Sequence, residues 1–204
     1  MSPRPYRLGE RQAAIDQTRA RIAEAARALL TADKGPINLT IEAVARQADV
    51  ARMTVYNQFG SKIGLLEAVC DALAANGGMN QLAGAFQKAD PLDALDELIR
   101  VFSHFWDADR LASRRLRALA ALDEEFAQVV RARDERRRNG LRVIVQRLAM
   151  QQGHPLPAMP EAVINTLFAL TSFETFDTLA GPTRTCAEFA PVVQRLARAA
   201  LSGA

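Results

Sequence analysis

One stretch constrains this chain more than any other. Residues 39–62, LTIEAVARQADVARMTVYNQFGSK, read as a helix, a tight turn and a second helix that is short and unusually polar. Thr40 stands where an N-cap belongs, ahead of Ile41, Val44, Ala45 and Ala48, whose i, i+3, i+4, i+7 spacing makes one apolar face. Asp49 falls in the turn, where a residue tolerant of the left-handed conformation is needed, and Val50 plugs the corner between the helices. The second helix, about Ala51 to Gln58, has only Val55 and Phe59 as an i, i+4 anchor. A third helix begins at Ser61 and Lys62.

That anchoring leaves Arg52, Met53, Thr54, Tyr56, Asn57 and Gln58 for other faces. So many contact-capable side chains on two turns call for a partner, and their chemistry fits duplex DNA. Arg pairs bidentately with a guanine edge, Met or a Thr methyl touches a thymine methyl, and Asn or Tyr bonds bases or phosphates. An N-cap at Ser61 with the Lys62 ammonium would hold a phosphate at a helix N-terminus. The residues expected at the DNA are therefore Thr40, Ala51, Arg52, Met53, Thr54, Tyr56, Asn57, Gln58 and Lys62. The alternative is an ordinary helical hairpin inside a core.

These residues resemble the TetR family of bacterial transcriptional regulators. The resemblance is carried by Thr40, Val44, Ala45, Ala48, Val50, Thr54, Val55, Tyr56, Phe59, Ser61, Lys62, Leu65 and Leu66. Asp49 replaces the usual Gly, Ala51 the usual Ser, and Ile63 stands where Glu is common, so Ala51 lacks the hydroxyl that would cap the reading helix and donate to a phosphate. The specific likeness covers about fifty residues; beyond Asn76 it is one of architecture. The resemblance implies an all-α fold, a three-helix helix-turn-helix unit joined to a larger helical ligand-binding and dimerisation domain. It also implies a repressor, released from a palindromic operator by a small-molecule effector, and a dimer interface built by the last two helices.

Composition agrees with helices throughout. Of 204 residues, 49% are hydrophobic and 6% aromatic, and no alternating Val/Ile/Thr/Tyr run marks a strand. The net charge is only +3, but residues 1–62 hold ten Lys+Arg against six Asp+Glu, leaving sixteen against seventeen for the rest. The basic excess thus lies with the helix-turn-helix, as DNA binding requires. Cys70 and Cys186 are far apart and form no metal pattern; buried free thiols in a reducing cytosol are expected. No segment reads as a signal peptide or membrane span, so a cytoplasmic protein with no membrane partner is expected. His104 and His154 have no metal-ligand spacing, no Ser stands in a nucleophile elbow, and Asp123, Glu124 and Glu125 diverge around a helix start. No enzyme activity, metal or cofactor is expected.

In chain order, residues 1–15, with Pro3, Pro5 and Gly9 among arginines, are expected to be a flexible basic arm, either reaching a minor groove or merely solvating. The DNA-binding domain occupies 16–62, opened by a helix from Asp16 to Asp33 that Lys34-Gly35-Pro36 ends. The effector and dimerisation domain occupies 63–204, with a connecting helix at 61–76. Asp90-Pro91 caps the next helix, which collects Phe102, Phe105 and Trp106. One follows over Leu111–Leu122, then a long one from Asp123 to Gln152, with Gly140 a possible kink and RARDERRRN (131–139) a solvated face or an anion contact. After a break at Gly153 to Pro157, helices from Pro160 to Leu179 and Thr185 to Leu201 close the chain. The first is apolar on more than one side, which argues for burial against both the core and a second subunit in a homodimer.

The effector site is expected among Phe102, His104, Phe105, Trp106, Phe168, Glu174 and Phe176. The rings would take the body of a largely apolar effector and His104 or Glu174 its polar group, unless the rings are core and the polar pair faces solvent. The two readings of the whole are an effector-responsive regulator and a DNA-binding dimer with no small-molecule effector, whose C-terminal helices serve assembly or protein binding.

Overall fold

The computed structural model describes residues 4–32, 37–153 and 161–202, with side chains from Gly9 onward. Regular structure among these residues is entirely helical. In order come α1 (Arg4–Thr31), α2 (Ile41–Gln47), α3 (Arg52–Phe59), α4 (Lys62–Asn76), α5 (Leu82–Phe86), α6 (Pro91–Ala108), α7 (Arg110–Ala120), α8 (Glu124–Gln151), α9 (Glu161–Leu170), α10 (Phe173–Ala180) and α11 (Ala190–Ser202). Single 3₁₀ turns precede α5 and α11. The breaks expected at Lys34-Gly35-Pro36 and from His154 to Pro157 lie outside the described residues.

The chain divides into two compact units, Met1–Ala72 with Arg114–Val129, and Leu73–Ser113 with Val130–Ala204. The first unit keeps α4 through Ala72 and includes a later segment. Burial explains why, since Leu65, Leu66 and Val69 of α4 and Phe126 and Val129 of α8 are all buried. Arg115 of α7 also donates to the carbonyls of Leu30 at 2.9 Å and Ala32 at 2.6 Å, satisfying acceptors that the end of α1 leaves open.

Within the first unit α1 packs on α2 and α3, and α2 on α3. Helix α1 begins at Arg4, so the segment expected as a flexible arm is helical. Residues 9–17 are exposed, and they extend a helix already held by the buried face of Ile22, Ala25, Ala26 and Leu30. Propagating an established helix through Ala, Gln, Arg and Glu costs little, whereas nucleating one there would not be favoured.

In the second unit one core joins Leu95, Leu98, Ile99, Phe102 and Trp106 of α6 with Leu141, Ile144 and Val145 of α8, Val163 and Leu167 of α9, Phe176 of α10 and Val193 of α11. Asp90 caps α6 as expected, accepting from the Leu92 N–H at 2.9 Å with Pro91 in the first turn. Helix α8 runs through Gly140 without stopping. There the missing side chain admits the Phe86 ring, whose Cζ would lie 3.1 Å from an added Cβ.

The single helix expected from Pro160 to Leu179 is two, separated at Thr171 and Ser172. Ser172 has extended backbone and caps α10, its hydroxyl accepting from the Thr175 N–H at 3.2 Å. The Thr171 hydroxyl donates back to Leu167 O at 2.9 Å, and its carbonyl accepts from Trp106 Nε1 at 3.1 Å. The break splits the apolar excess between two short helices, each burying one face through Val163, Ile164 and Leu167 or through Phe173 and Phe176.

Cys70 and Cys186 are buried and not joined in a disulfide. Burial, aided by Asp107, pushes the Cys186 thiol up to about 11, so it is a thiol rather than a thiolate at neutral pH.

Candidate nucleic-acid interface

Helix α2 starts as its sequence dictates. Thr40 has extended backbone, and its hydroxyl accepts from the Ala43 N–H at 3.2 Å, so this residue builds the motif from its side chain inward. Ile41, Val44, Ala45 and Ala48 are buried. Asp49 adopts φ 50°, the left-handed turn position, and the Val50 N–H returns to Ala45 O at 3.0 Å.

Helix α3 is held from beneath by Val55 and Phe59, both buried. The Arg19 guanidinium of α1 lies 4.3 Å from the Phe59 ring centroid and also donates to Gln58 O. Ala51 occupies the N-cap position with no side-chain hydrogen bond, as its methyl requires. Above this anchor Ala51, Arg52, Met53 and Asn57 are exposed, and Thr54, Tyr56 and Gln58 are half-buried. The expected reading residues therefore share one short helix whose outward side is open.

Arg52 does not extend freely. Its Nη1 is 3.0 Å from Glu42 Oε1, its Nη2 donates to the Tyr56 hydroxyl at 3.2 Å, and its guanidinium carbon is 5.4 Å from the Tyr56 ring centroid. Glu42 sits in the first turn of α2, where negative charge is favoured by the helix dipole. Sequence reasoning passed over this residue, because ten positions and a turn separate it from Arg52; only a helix-turn-helix template brings the two together.

Helix α3 ends at Gly60, whose φ of 75° few other residues adopt, and Ser61 then accepts from the Gly64 N–H at 3.0 Å. Gly64 is required sterically, since an added Cβ would fall 2.1 Å from Phe59 O. Lys62, expected at a phosphate, points elsewhere. Its ammonium is 2.8 Å from Asp123 Oδ2, 2.7 Å from Glu125 Oε2 and 5.0 Å from the Phe126 ring centroid. Burial lowers the Lys62 pKa, but the bonds to Asp123 and Glu125 outweigh it and hold the value above the ordinary lysine range. The bond from Lys62 holds Asp123 below the usual carboxylate range. Asp123 also accepts from the Glu125 N–H at 2.9 Å, so one carboxylate caps α8 and fixes Lys62. In this structure Lys62 joins α4 to α8 inside the first unit.

The residues expected to bind an effector divide in two. Phe102, Phe105, Trp106, Phe168 and Phe176 all belong to the second unit's core or pack against it. Phe105 and Trp106 centroids are 4.5 Å apart, Phe102 and Trp106 5.8 Å, and Trp106 also meets Phe173 at 5.6 Å. His104 and Glu174, expected as polar anchors, are exposed, because α6 and α10 turn their opposite faces inward. The polar group among the rings is Arg137, buried in the middle of RARDERRRN. It donates to Phe168 O at 3.0 Å and Thr171 Oγ1 at 3.1 Å, 4.1 Å from the Phe168 ring centroid. No cluster of three or more His, Cys, Asp or Glu side chains among the described residues is arranged to hold a metal.

The family model for bacterial regulatory proteins of the tetR family matches residues 22–69, from the middle of α1 into α4. Residues 22–69 thus carry the sequence pattern of the tetR family. The match supports a DNA-binding transcriptional regulator and spans α2, the turn and α3. Among curated proteins none matches. Solved structures extend the likeness of fold over the full tetR architecture. A TetR transcription regulator from Haloarcula marismortui is 19% identical with a TM-score of 0.66, covering 92% of this chain and 98% of that one. A TetR-like regulator from Rhodococcus is 20% identical at 0.66, covering 92% and 97%. RolR, solved with resorcinol, is 20% identical at 0.51, covering 94% of each chain. No helix among the described residues is long and apolar enough to cross a membrane.

Proposed function

We propose that the chain acts as a homodimeric repressor that lays α3 in the major groove of a palindromic operator and leaves it when an effector occupies the second unit. The observation that carries the DNA half is the construction of α3: two turns with Val55 and Phe59 as the buried residues and Arg52, Met53 and Asn57 exposed. A two-fold dimer would set two such helices into successive grooves, about 34–36 Å apart. Release requires no contact between effector and DNA, only better binding to a conformation with the wrong spacing. Helices α4, α7 and α8 each run through both units and are the covalent routes for such coupling.

Selection from random duplexes tests this. The wild-type chain should recover a pseudo-palindrome, and Arg52→Ala should weaken binding to it by about 1–3 kcal/mol while relaxing preference at one base step in each half-site. An unchanged preference would remove Arg52 from the readout.

For the effector, we place the site at the expected rings Phe102, Phe105 and Trp106, now joined by Phe173, with Trp106, Arg137 and Thr171 replacing His104 and Glu174 as its polar surroundings. That RolR binds resorcinol, a small aromatic diol, supports a ligand of this kind. The second reading, a DNA-binding dimer without small-molecule effector, is favoured by the direct packing of these rings on one another.

A further inference from the structure

We propose that Glu42 is a specificity-determining residue, a carboxylate that reserves Arg52 for a neutral base edge and denies it to phosphates. This rests on the reading of Arg52 as a base contact.

The argument begins with what an arginine does at a DNA surface. A free guanidinium on a long stem pairs as readily with a phosphate, present beside every base step, as with a guanine, and the phosphate bond carries no sequence information. Here the stem is not free. Glu42 holds Nη1 at 3.0 Å, and the Tyr56 hydroxyl and ring hold the other side of the group. Five N–H donors sit on a guanidinium, and these two partners leave donors open for the O6 and N7 acceptors of guanine. A guanine edge is neutral and can approach while Glu42 stays in place. A phosphate cannot do so without bringing its negative charge beside the carboxylate, which opposes it.

The carboxylate is well placed for this task, and core stability and a capping box do not explain it. It is 52% exposed and Arg52 60%, so neither stabilises the core. Glu42 lies two residues after the Thr40 cap, one short of the position from which a capping-box carboxylate reaches back. A helix-dipole role remains, but it makes no reference to Arg52 and so predicts no coupling between the two residues.

The test is Glu42→Gln, alone and combined with Arg52→Ala, in duplex selection and in titrations against the selected operator and an unrelated duplex. Glu42→Gln is expected to tighten binding to the unrelated duplex by about twofold to fivefold, the range of an exposed charge pair. The salt dependence there should steepen by about 0.9 in slope, one added phosphate contact. Operator affinity should change less, so the ratio of the two falls and guanine preference at the Arg52 step weakens. In the Arg52→Ala background the substitution should leave base preference where Arg52→Ala put it. An unchanged ratio, or an effect that persists undiminished without Arg52, overturns the inference. If Arg52→Ala relaxes preference and Glu42→Gln does not, only the role of Glu42 falls; if Arg52→Ala itself changes nothing, the base-reading assignment falls with it.

Discussion

Lys62→Met separates two roles that a lysine at the start of α4 can play. As a phosphate contact it would contribute to the salt dependence of DNA binding and little to stability; as a rivet between α4 and α8 it would do the reverse. Its side chain is 24% exposed, and its carboxylate partners are 36% and 47% exposed for Asp123 and Glu125. Pairs this wet are worth about 0.2–1 kcal/mol each, and the Phe126 contact adds about 0.5–1 kcal/mol. Methionine keeps the apolar stem, so only the charge is removed, and allowing for screening the loss should come to about 1 kcal/mol. For a chain of this size that lowers Tm by about 2–4 °C. The assays are a circular-dichroism melt and a fluorescence titration of labelled operator over a series of salt concentrations. Stability should fall while the salt slope stays that of the wild type. An unchanged melt with a slope reduced by about 0.9 would refute the rivet and return Lys62 to the phosphate backbone.

The same cluster should respond to acid. Asp123 is held below its ordinary value of 3.8 by Lys62, so its contribution is full above that value and is lost as pH falls through the lowered one. Asp123→Asn, which can still cap α8, should be less stable than wild type near neutrality. The gap should close in melts well below pH 3.8; a gap independent of pH would mean the charge is irrelevant. A thermal-shift screen of small aromatic phenols and carboxylates should yield a compound that stabilises by about 2.7 kcal/mol at 100 times its Kd and releases operator DNA. If every stabilising compound leaves DNA binding intact, the effector-free reading gains and the repressor mechanism fails.

The helix-turn-helix was legible because everything that makes it is local. A cap, an apolar stripe, a left-handed turn residue and an i, i+4 anchor lie within twenty residues, and Thr40, Asp49, Val55 and Phe59 do what their types and spacing require. The caps of α6 and α8 were legible for the same reason. Partners distant in the chain were not. Lys62 finds Asp123 sixty-one positions away, and no periodicity announces that pairing. Arg137 stands in a run of charges that reads as solvated, yet it is buried because Phe168 O and Thr171 Oγ1 offer acceptors just where α9 stops. The break at Thr171 and Ser172 was hidden by the apolar residues on either side of it. A Thr followed by a capping Ser was the available signal, and hydrophobic periodicity outweighed it.

Charge shows most plainly how folding rearranges what a linear reading supplies. Counted along the chain, residues 1–62 carry ten Lys+Arg against six Asp+Glu, and the excess looks like a footprint for DNA. Counted over the first compact unit, which adds residues 63–72 and 114–129, the figures become thirteen against eleven, and the excess nearly vanishes. Yet the added acids do not all weaken the DNA-facing surface, because Asp123 and Glu125 close on Lys62 rather than on α3. Over distances longer than about 8–10 Å salt screens exposed charges from one another, so a unit's net charge governs little at the groove. What counts there is the sign of the few groups that reach it. On the reading proposed above those groups include a cation, Arg52, and an anion, Glu42, which are already joined without DNA. A surface built this way gains less from phosphates in general and more from a base edge that can accept hydrogen bonds without bringing a charge. Discrimination between sequences, rather than attraction to nucleic acid, is the property such an arrangement favours.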